Sequence, residues 1–353
     1  MSSLPDPIND NAEHETARAE WNSGLEPEPV AQIAAHVEPF VEAAEPATEL
    51  LEERELDNVA PTGHALPPTG TPLFAHYEYI PPVPQQRIPN LLHVLLFVVL
   101  LIGGFLCSSV LFLSAIHHHV FGVSTADQAK DNIDYTLGTE TAIYLITLGG
   151  CMIVFPLVWR KGFFKGLQWR AATAFRLRWR LVGAAVVCFI FAMINELLIP
   201  GPVDTPIDRV FRLPGAAWLL FAFGVTLAPL FEEIAYRGFL LPALCTAYDA
   251  IRERITGTIP PANDDNDHPR WSFPAMTVAS IIASIPFALM HGEQTSYSLG
   301  PFLLLVCVSL VLCGVRLATR SLAASVIVHS CYNLILFSLM LAVTGGFRHL
   351  DKM

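Results

Sequence analysis

A chain of 353 residues that is 53% hydrophobic and only 15% charged, with a mean hydropathy of +0.47, is too apolar to be an ordinary soluble domain. Its formal net charge of -11 is confined to one end: residues 1–90 hold 16 Asp/Glu against 3 Lys/Arg, whereas the rest of the chain is close to neutral. The composition describes an acidic tail joined to a membrane protein.

The tail, residues 1–88, also carries about half of the chain's 27 prolines, in stretches such as "PPTGTPLFAHYEYIPPVPQQRIP". Missing N–H donors and fixed φ angles work against helix and sheet there, so a disordered segment is expected, with "AQIAAHV" and "ATELLEE" as weak docking candidates. No basic region followed by an apolar core opens the chain, so a cleaved secretory signal is not expected.

From Leu91 onward long apolar runs alternate with short polar links: Leu91 to Ile116, Thr141 to Trp159, Leu181 to Ile199, Ala216 to Phe231, Phe273 to Met290, Pro301 to Val315 and Leu322 to Val343. A helix needs about 20 residues to cross a bilayer core. The expected fold is an all-α polytopic transmembrane bundle of about seven crossings, six to eight in range, behind the disordered tail. Residues 89–212 form three crossings and a basic loop, and 213–345 the remaining bundle. The seven cysteines fall in or beside the runs without metal-type spacing and read as small buried apolar residues.

Loop charges orient the chain. "RKGFFKGLQWRAATAFRLRWR", residues 160–180, carries seven Lys/Arg and no acid, which marks a cytoplasmic loop. The N-terminal tail then lies on the same side of the cell membrane. The links containing Arg252 and Arg254, and Arg316 and Arg320, fall there too, while the C-terminus faces outward.

Ionisable groups at membrane depth cost at least ~2.5 kcal/mol each and persist where they pair or line a polar cavity. "FEEIAYRGFL" places Glu232, Glu233 and Arg237 at the end of an apolar run. Residues four apart share a helical face, so Glu233 can pair with Arg237, leaving Glu232 turned about 100° away and free to act, with Tyr236 beneath it as a hydrogen-bond partner. The bland alternative is a helix end whose charges sit in water. Two later runs weigh against it: "SIPFALMHGEQ" ends in His291, and "SVIVHSCYNLILF" buries His329 and Asn333 one helical turn apart. Glu, His, His and Asn on three separate runs would each be costly facing lipid and are mutually satisfied if they converge.

A carboxylate beside an imidazole can take a proton from water, and a second imidazole with an amide can donate hydrogen bonds to the oxyanion that forms at a carbonyl. The same Glu232, His291 and His329 could instead hold zinc with an open fourth position, although neither HExxH nor HxxEH is present. The residue types leave both open.

The succession "EEIAYR", "FALMH" and "HSCYN" resembles the CPBP family of intramembrane endopeptidases, which includes the type II CAAX prenyl proteases and the bacteriocin-processing and immunity proteins called Abi proteins. The likeness covers residues 214 to 343, and "LCGVRLATRSLAASVIVH", a glycine-containing helix end and basic turn, is part of it. The resemblance implies that Glu232 and His291 activate water, that His329 and Asn333 form the oxyanion site, and that Glu233, Arg237, Tyr236 and Phe287 support them. It favours a glutamate-dependent reaction without a cofactor over a zinc metalloprotease. The expected partners are the bilayer and a peptide or protein substrate, lipidated or membrane-associated ones included, with no nucleic acid. A polytopic transporter or proton-coupled carrier, or a catalytically silent scaffold, is the rival reading of the same buried charges. The triplet His117 to His119 lies outside the resemblance and reads as an interfacial polar edge. One conflict stands: straight crossings hold Glu232 and His291 apart unless the Glu-bearing helix continues through "GFLLPALCTAY" or the His-bearing segment begins deep, bends at Pro286 or re-enters.

Overall fold

In the computed structural model the described residues are 87–202, 205–213, 215–258, 263–264 and 268–348. The acidic tail expected over residues 1–88 lies outside them except for its last two positions. Among the described residues there is no strand, and seven helices are long and apolar enough to cross a membrane. They are α1 (Leu91–His117), α2 (Ile133–Trp159), α3 (Arg178–Leu198), α4 (Ala216–Thr256), α5 (Phe273–Met290), α6 (Leu299–Thr319) and α7 (Leu322–Val343). The protein is a multi-pass membrane protein.

Caps rather than apolar runs set several helix boundaries. Asn90 Oδ1 accepts from the N–H groups of Leu92 and His93, and the His93 ring returns the favour to the Asn90 N–H, so α1 starts where the apolar run does. Asn132 caps α2 in the same way through Asp134 and Tyr135, which begins that helix well before Thr141 and brings Glu140 inside it. The largest departure is α4. The charges of "EEIAYR" look like a membrane boundary, yet the helix passes through them and runs for 41 residues. At ~1.5 Å per residue that exceeds a ~30 Å bilayer core, so both ends cannot sit at its surfaces without tilt or protrusion.

Within α4 the backbone is not uniform. It breaks at Thr226 (φ -119°, ψ -77°) and winds as a π-helix over Ile234–Leu240. Pro229, three residues beyond the break, lacks the N–H that would continue the ladder.

Many large apolar side chains on the spans point outward. Leu197 is 82% exposed, and Leu92, Val110 and Leu157 are similarly bare. In water such surfaces would cost ~25 cal/mol per Å², whereas in lipid they cost nothing comparable. What is buried lies between helices. An aromatic cluster of Phe97, Phe155, Trp159, Phe163, Phe231 and Phe239 joins α1, α2 and α4, with Tyr144 stacked 3.9 Å from Phe231. Ala275, Ala279 and Ala283 recur along one face of α5 and let it approach α4 closely at Leu241 and Cys245. α3 packs on α6 and α7 through Leu181, Ala185, Leu312 and Val328. Cysteines do not all follow the expectation: four are buried, but Cys107 and Cys307 are exposed on the apolar exterior.

Arg316 corrects another reading. It is not a solvated loop charge but an interior residue of α6, 1% exposed, with Nε donating to the Arg237 carbonyl at 3.2 Å and Nη2 to the Leu167 carbonyl at 3.4 Å. It fastens the π-helical turn of α4 to the link after α2. Arg316→Ala is expected to lower the unfolding free energy by about 1–3 kcal/mol, the cost of stranding buried acceptors. Thermal unfolding of the detergent-solubilised protein checks this, and an unchanged melting temperature would show that water satisfies both carbonyls.

Candidate active site

The continuation of α4 resolves the conflict left by the sequence. Glu232 lies well inside that helix, α5 runs unbroken with Pro286 in it, and His291 forms the C-cap of α5 facing Glu232. Glu232 Oε2 lies 3.8 Å from His291 Nε2 and 3.8 Å from His329 Nε2. That oxygen is buried and accepts no hydrogen bond from the described residues. Both separations exceed a direct hydrogen bond, which leaves that oxygen free to accept from a water in the cavity.

Ring geometry assigns protons. His291 Nδ1 is 2.9 Å from the Phe287 carbonyl, which can only accept, so Nδ1 donates. In a neutral ring Nε2 then offers a lone pair towards the Glu232 carboxylate. Two acceptors facing one point require a shared proton, from water or from the ring itself. His329 is held differently: Nδ1 lies 2.9 Å from Glu233 Oε1. With Nδ1–H donated to that carboxylate, Nε2 becomes a donor only when the ring is protonated.

Glu233 and Arg237 supply the rigid base beneath. Both are fully buried, their ion pair spans 2.9 Å, and Arg237 Nη2 also donates to Ser309 at its carbonyl (3.1 Å) and hydroxyl (2.7 Å). The Arg237 guanidinium stacks over Phe287 at 4.5 Å, and the same ring touches Tyr236, His291 and His329. Phe287 therefore sets the spacing of the two imidazoles. Tyr236 does not serve Glu232: its hydroxyl donates to the Pro286 carbonyl at 3.3 Å, tying α4 to α5. Asn333 Nδ2 donates to the Gly224 carbonyl at 2.7 Å, just before the break in α4. One amide N–H is thus spent on orientation, and the second remains.

Glu232, Phe287, His291, His329 and Asn333 line one cavity of about 480 Å³. Sequence reading missed another member, Glu140 of α2, which lines the same cavity and accepts from the Tyr144 hydroxyl at 3.0 Å. Its signal was a carboxylate in "GTETAIYLI", one residue outside the apolar run. His117 to His119 are exposed at the end of α1, away from these residues in the fold's element order. Zinc chemistry matches the donor types of Glu232, His291 and His329, but a formed tetrahedral set places donors about 3.3 Å apart. The 3.8 Å separations are looser, and among the described residues no group of three or more His, Cys, Asp or Glu is disposed to hold a metal ion.

Two carboxylates, Glu232 and Glu140, and two imidazoles, His291 and His329, thus converge on one cavity within a helical membrane bundle. Residues 214–335, about a third of the chain, match the family model of type II CAAX prenyl endopeptidase Rce1-like proteins. The match takes in Glu232, His291, His329 and Asn333 and stops short of α1 to α3. No curated protein and no solved structure matches the chain.

Arg237→Met should be strongly destabilising, by about 3–5 kcal/mol, because it leaves the Glu233 carboxylate buried beside only His329. The double variant Glu233→Gln, Arg237→Met should recover part of that loss. Denaturant titration of the three proteins in detergent checks the order, and equal stability of the single and double variants would contradict it.

Proposed function

We propose that this chain is an intramembrane endopeptidase that hydrolyses peptide bonds with a water activated by Glu232 and His291. The observation that carries the reading is Glu232 Oε2 held 3.8 Å from two imidazole nitrogens in a cavity large enough for an extended peptide segment. Water between Glu232 and the lone pair of His291 Nε2 meets two acceptors, which raises the negative charge on its oxygen. As that oxygen bonds to the scissile carbonyl carbon, its proton passes to Glu232. The carbonyl oxygen becomes an oxyanion and accepts hydrogen bonds from protonated His329 Nε2 and from the second N–H of Asn333. Collapse breaks the C–N bond, and the leaving amine takes the proton from Glu232, directly or through His291. Glu233 keeps His329 oriented and compensates its charge, while Arg237 keeps Glu233 ionised in a place where a lone carboxylate would not persist.

No step is routed through a metal, since the donor spacing supports the glutamate form over the zinc form. The substrate class is a peptide or protein segment at the membrane. It must be unwound for its carbonyl to reach Glu232, because helical carbonyls are already hydrogen-bonded. Residues 1–88 are read as a tail, and 89–212 as a scaffold bracing the 213–345 core.

The test is cleavage of quenched fluorescent peptides by the purified full chain. Glu232→Gln and His329→Ala are each expected to reduce kcat by ~10²-fold or more, in the range found for loss of a general base or an oxyanion donor. Exhaustive chelation with metal analysis of the sample should leave the rate unchanged. Undiminished cleavage by Glu232→Gln would overturn the mechanism, and loss of activity on chelation restored by zinc would replace it with the metal form.

A further inference from the structure

The two ends of the bundle differ in packing and in charge. At one end the links 160–177 and 320–321 are drawn together with the described residues of the link after α4, Asp264 among them. Asp264 pairs with Arg170 at 3.4 Å and Arg320 at 3.3 Å, Ser321 Oγ donates to the Arg170 carbonyl at 3.0 Å, and Leu322 N–H donates to Gln168 at 3.1 Å. Between this end and Glu232 stand Leu167, Arg237, Arg316 and Leu322, each no more than 1% exposed. That side is filled by protein.

The cavity runs the other way. From Glu232 and His329 it extends to Thr136 at the start of α2, to Ile207 before α4, and to Glu293 and Gln294 after α5. Thr136, Glu293 and Gln294 are exposed, so the hollow reaches the surface at the end where the links after α1, α3 and α5 lie, taken over their described residues. A hydrogen bond from the Ile207 N–H to the Gln294 carbonyl, 3.4 Å, joins two of these links at the rim. His291, at the C-terminal end of α5, belongs to one of these open-end links and faces Glu232 at 3.8 Å, so the site is reached directly from that end.

Charge distinguishes the two faces. Residues 160–180 hold seven Lys/Arg and no acid, and the other two links of the closed end add Arg270 and Arg320 with Asp264, Asp265 and Asp267. The three links of the open end hold only Lys130, Arg209 and Arg212, alongside five acids. The excess of Lys/Arg belongs on the cytoplasmic side.

We infer that the site opens on the face opposite the basic loops, so that its substrates are peptide segments exposed at the non-cytoplasmic surface of the membrane rather than tails presented from the cytoplasm. The inference rests on the protease reading above for the word substrate, but the sidedness of the mouth stands apart from it. The cavity lining also narrows the substrate chemistry. Its walls include Leu220, Phe223 and Phe337, and its described lining contains the carboxylates of Glu140, Glu232 and Glu293 with no Lys or Arg. An extended segment with apolar side chains and neutral or basic charge fits such a surface, whereas a free C-terminal carboxylate meets no Lys or Arg there.

Two measurements test it. Ser124→Cys and Thr258→Cys, both at exposed positions in opposite links, are probed with a membrane-impermeant maleimide in spheroplasts, with the parent chain as blank. Ser124→Cys should label in intact spheroplasts and Thr258→Cys only after permeabilisation; the reverse pattern overturns the inference. A membrane-impermeant, quenched, apolar-basic peptide is then given to right-side-out and inside-out vesicles of equal protein content. Cleavage should be at least ~10-fold faster in right-side-out vesicles, because a polar backbone does not cross the hydrocarbon. Faster cleavage in inside-out vesicles overturns the inference even if the labelling agrees. Absence of cleavage after detergent opens every vesicle would count against the protease reading instead, while the labelling would still decide which face the mouth is on.

Discussion

An arginine and a glutamate, both fully buried, sit 2.9 Å apart in the middle of a helix bundle that otherwise meets hydrocarbon. Neither charge could remain there without the other, and their pairing forces much else. Ser309 of α6 must turn its carbonyl and hydroxyl to Arg237, Phe287 of α5 must lie flat beneath the guanidinium, and His329 of α7 must bring its ring to Glu233. Three helices are thereby indexed to one turn of α4. The distances that give the site its chemistry, from Glu232 to the two imidazoles, are consequences of that indexing.

The division of labour between adjacent carboxylates follows from environment. Glu233 is saturated by Arg237 and His329, so it holds geometry. Glu232, one position earlier, keeps a buried oxygen without a protein donor and faces the cavity. Identical side chains thus acquire different tasks because a helix turns them about 100° apart. Polar groups in lipid are expensive when idle, and this arrangement leaves Glu232 as the member with capacity to spare.

Much of the architecture was legible because lipid imposes a simple demand on sequence. Two of the seven apolar runs, Phe273 to Met290 and Leu322 to Val343, coincide with their helices to the residue. Reading failed where charge and span overlap. Glu232, Glu233 and Arg237 look like a boundary when hydropathy alone is scanned, so α4 seemed to stop where it continues, and Arg316 looked like a loop charge for the same reason. Glu140 escaped because a capped, mixed-polarity turn precedes the apolar part of α2. The convergence of Glu232, His291 and His329 was legible from residue type and order. The attachment of Asn333 to Gly224, and of Tyr236 to Pro286, was not, since both depend on backbone carbonyls whose availability follows from helix irregularities.

The π-helical turn at Ile234–Leu240 bears on how this segment can vary. Such a turn is an α-helix carrying a residue more than its hydrogen-bond ladder can use. Loss of one residue between Glu233 and Arg237 would let the ladder relax to regular form and swivel everything upstream by about 100°, carrying Glu232 out of register with α5 and α7 while Arg237 stayed behind. The spacing between the two is a matter of arithmetic as well as chemistry: the stretch could accept many exchanges of side chain and yet fail on a single deletion.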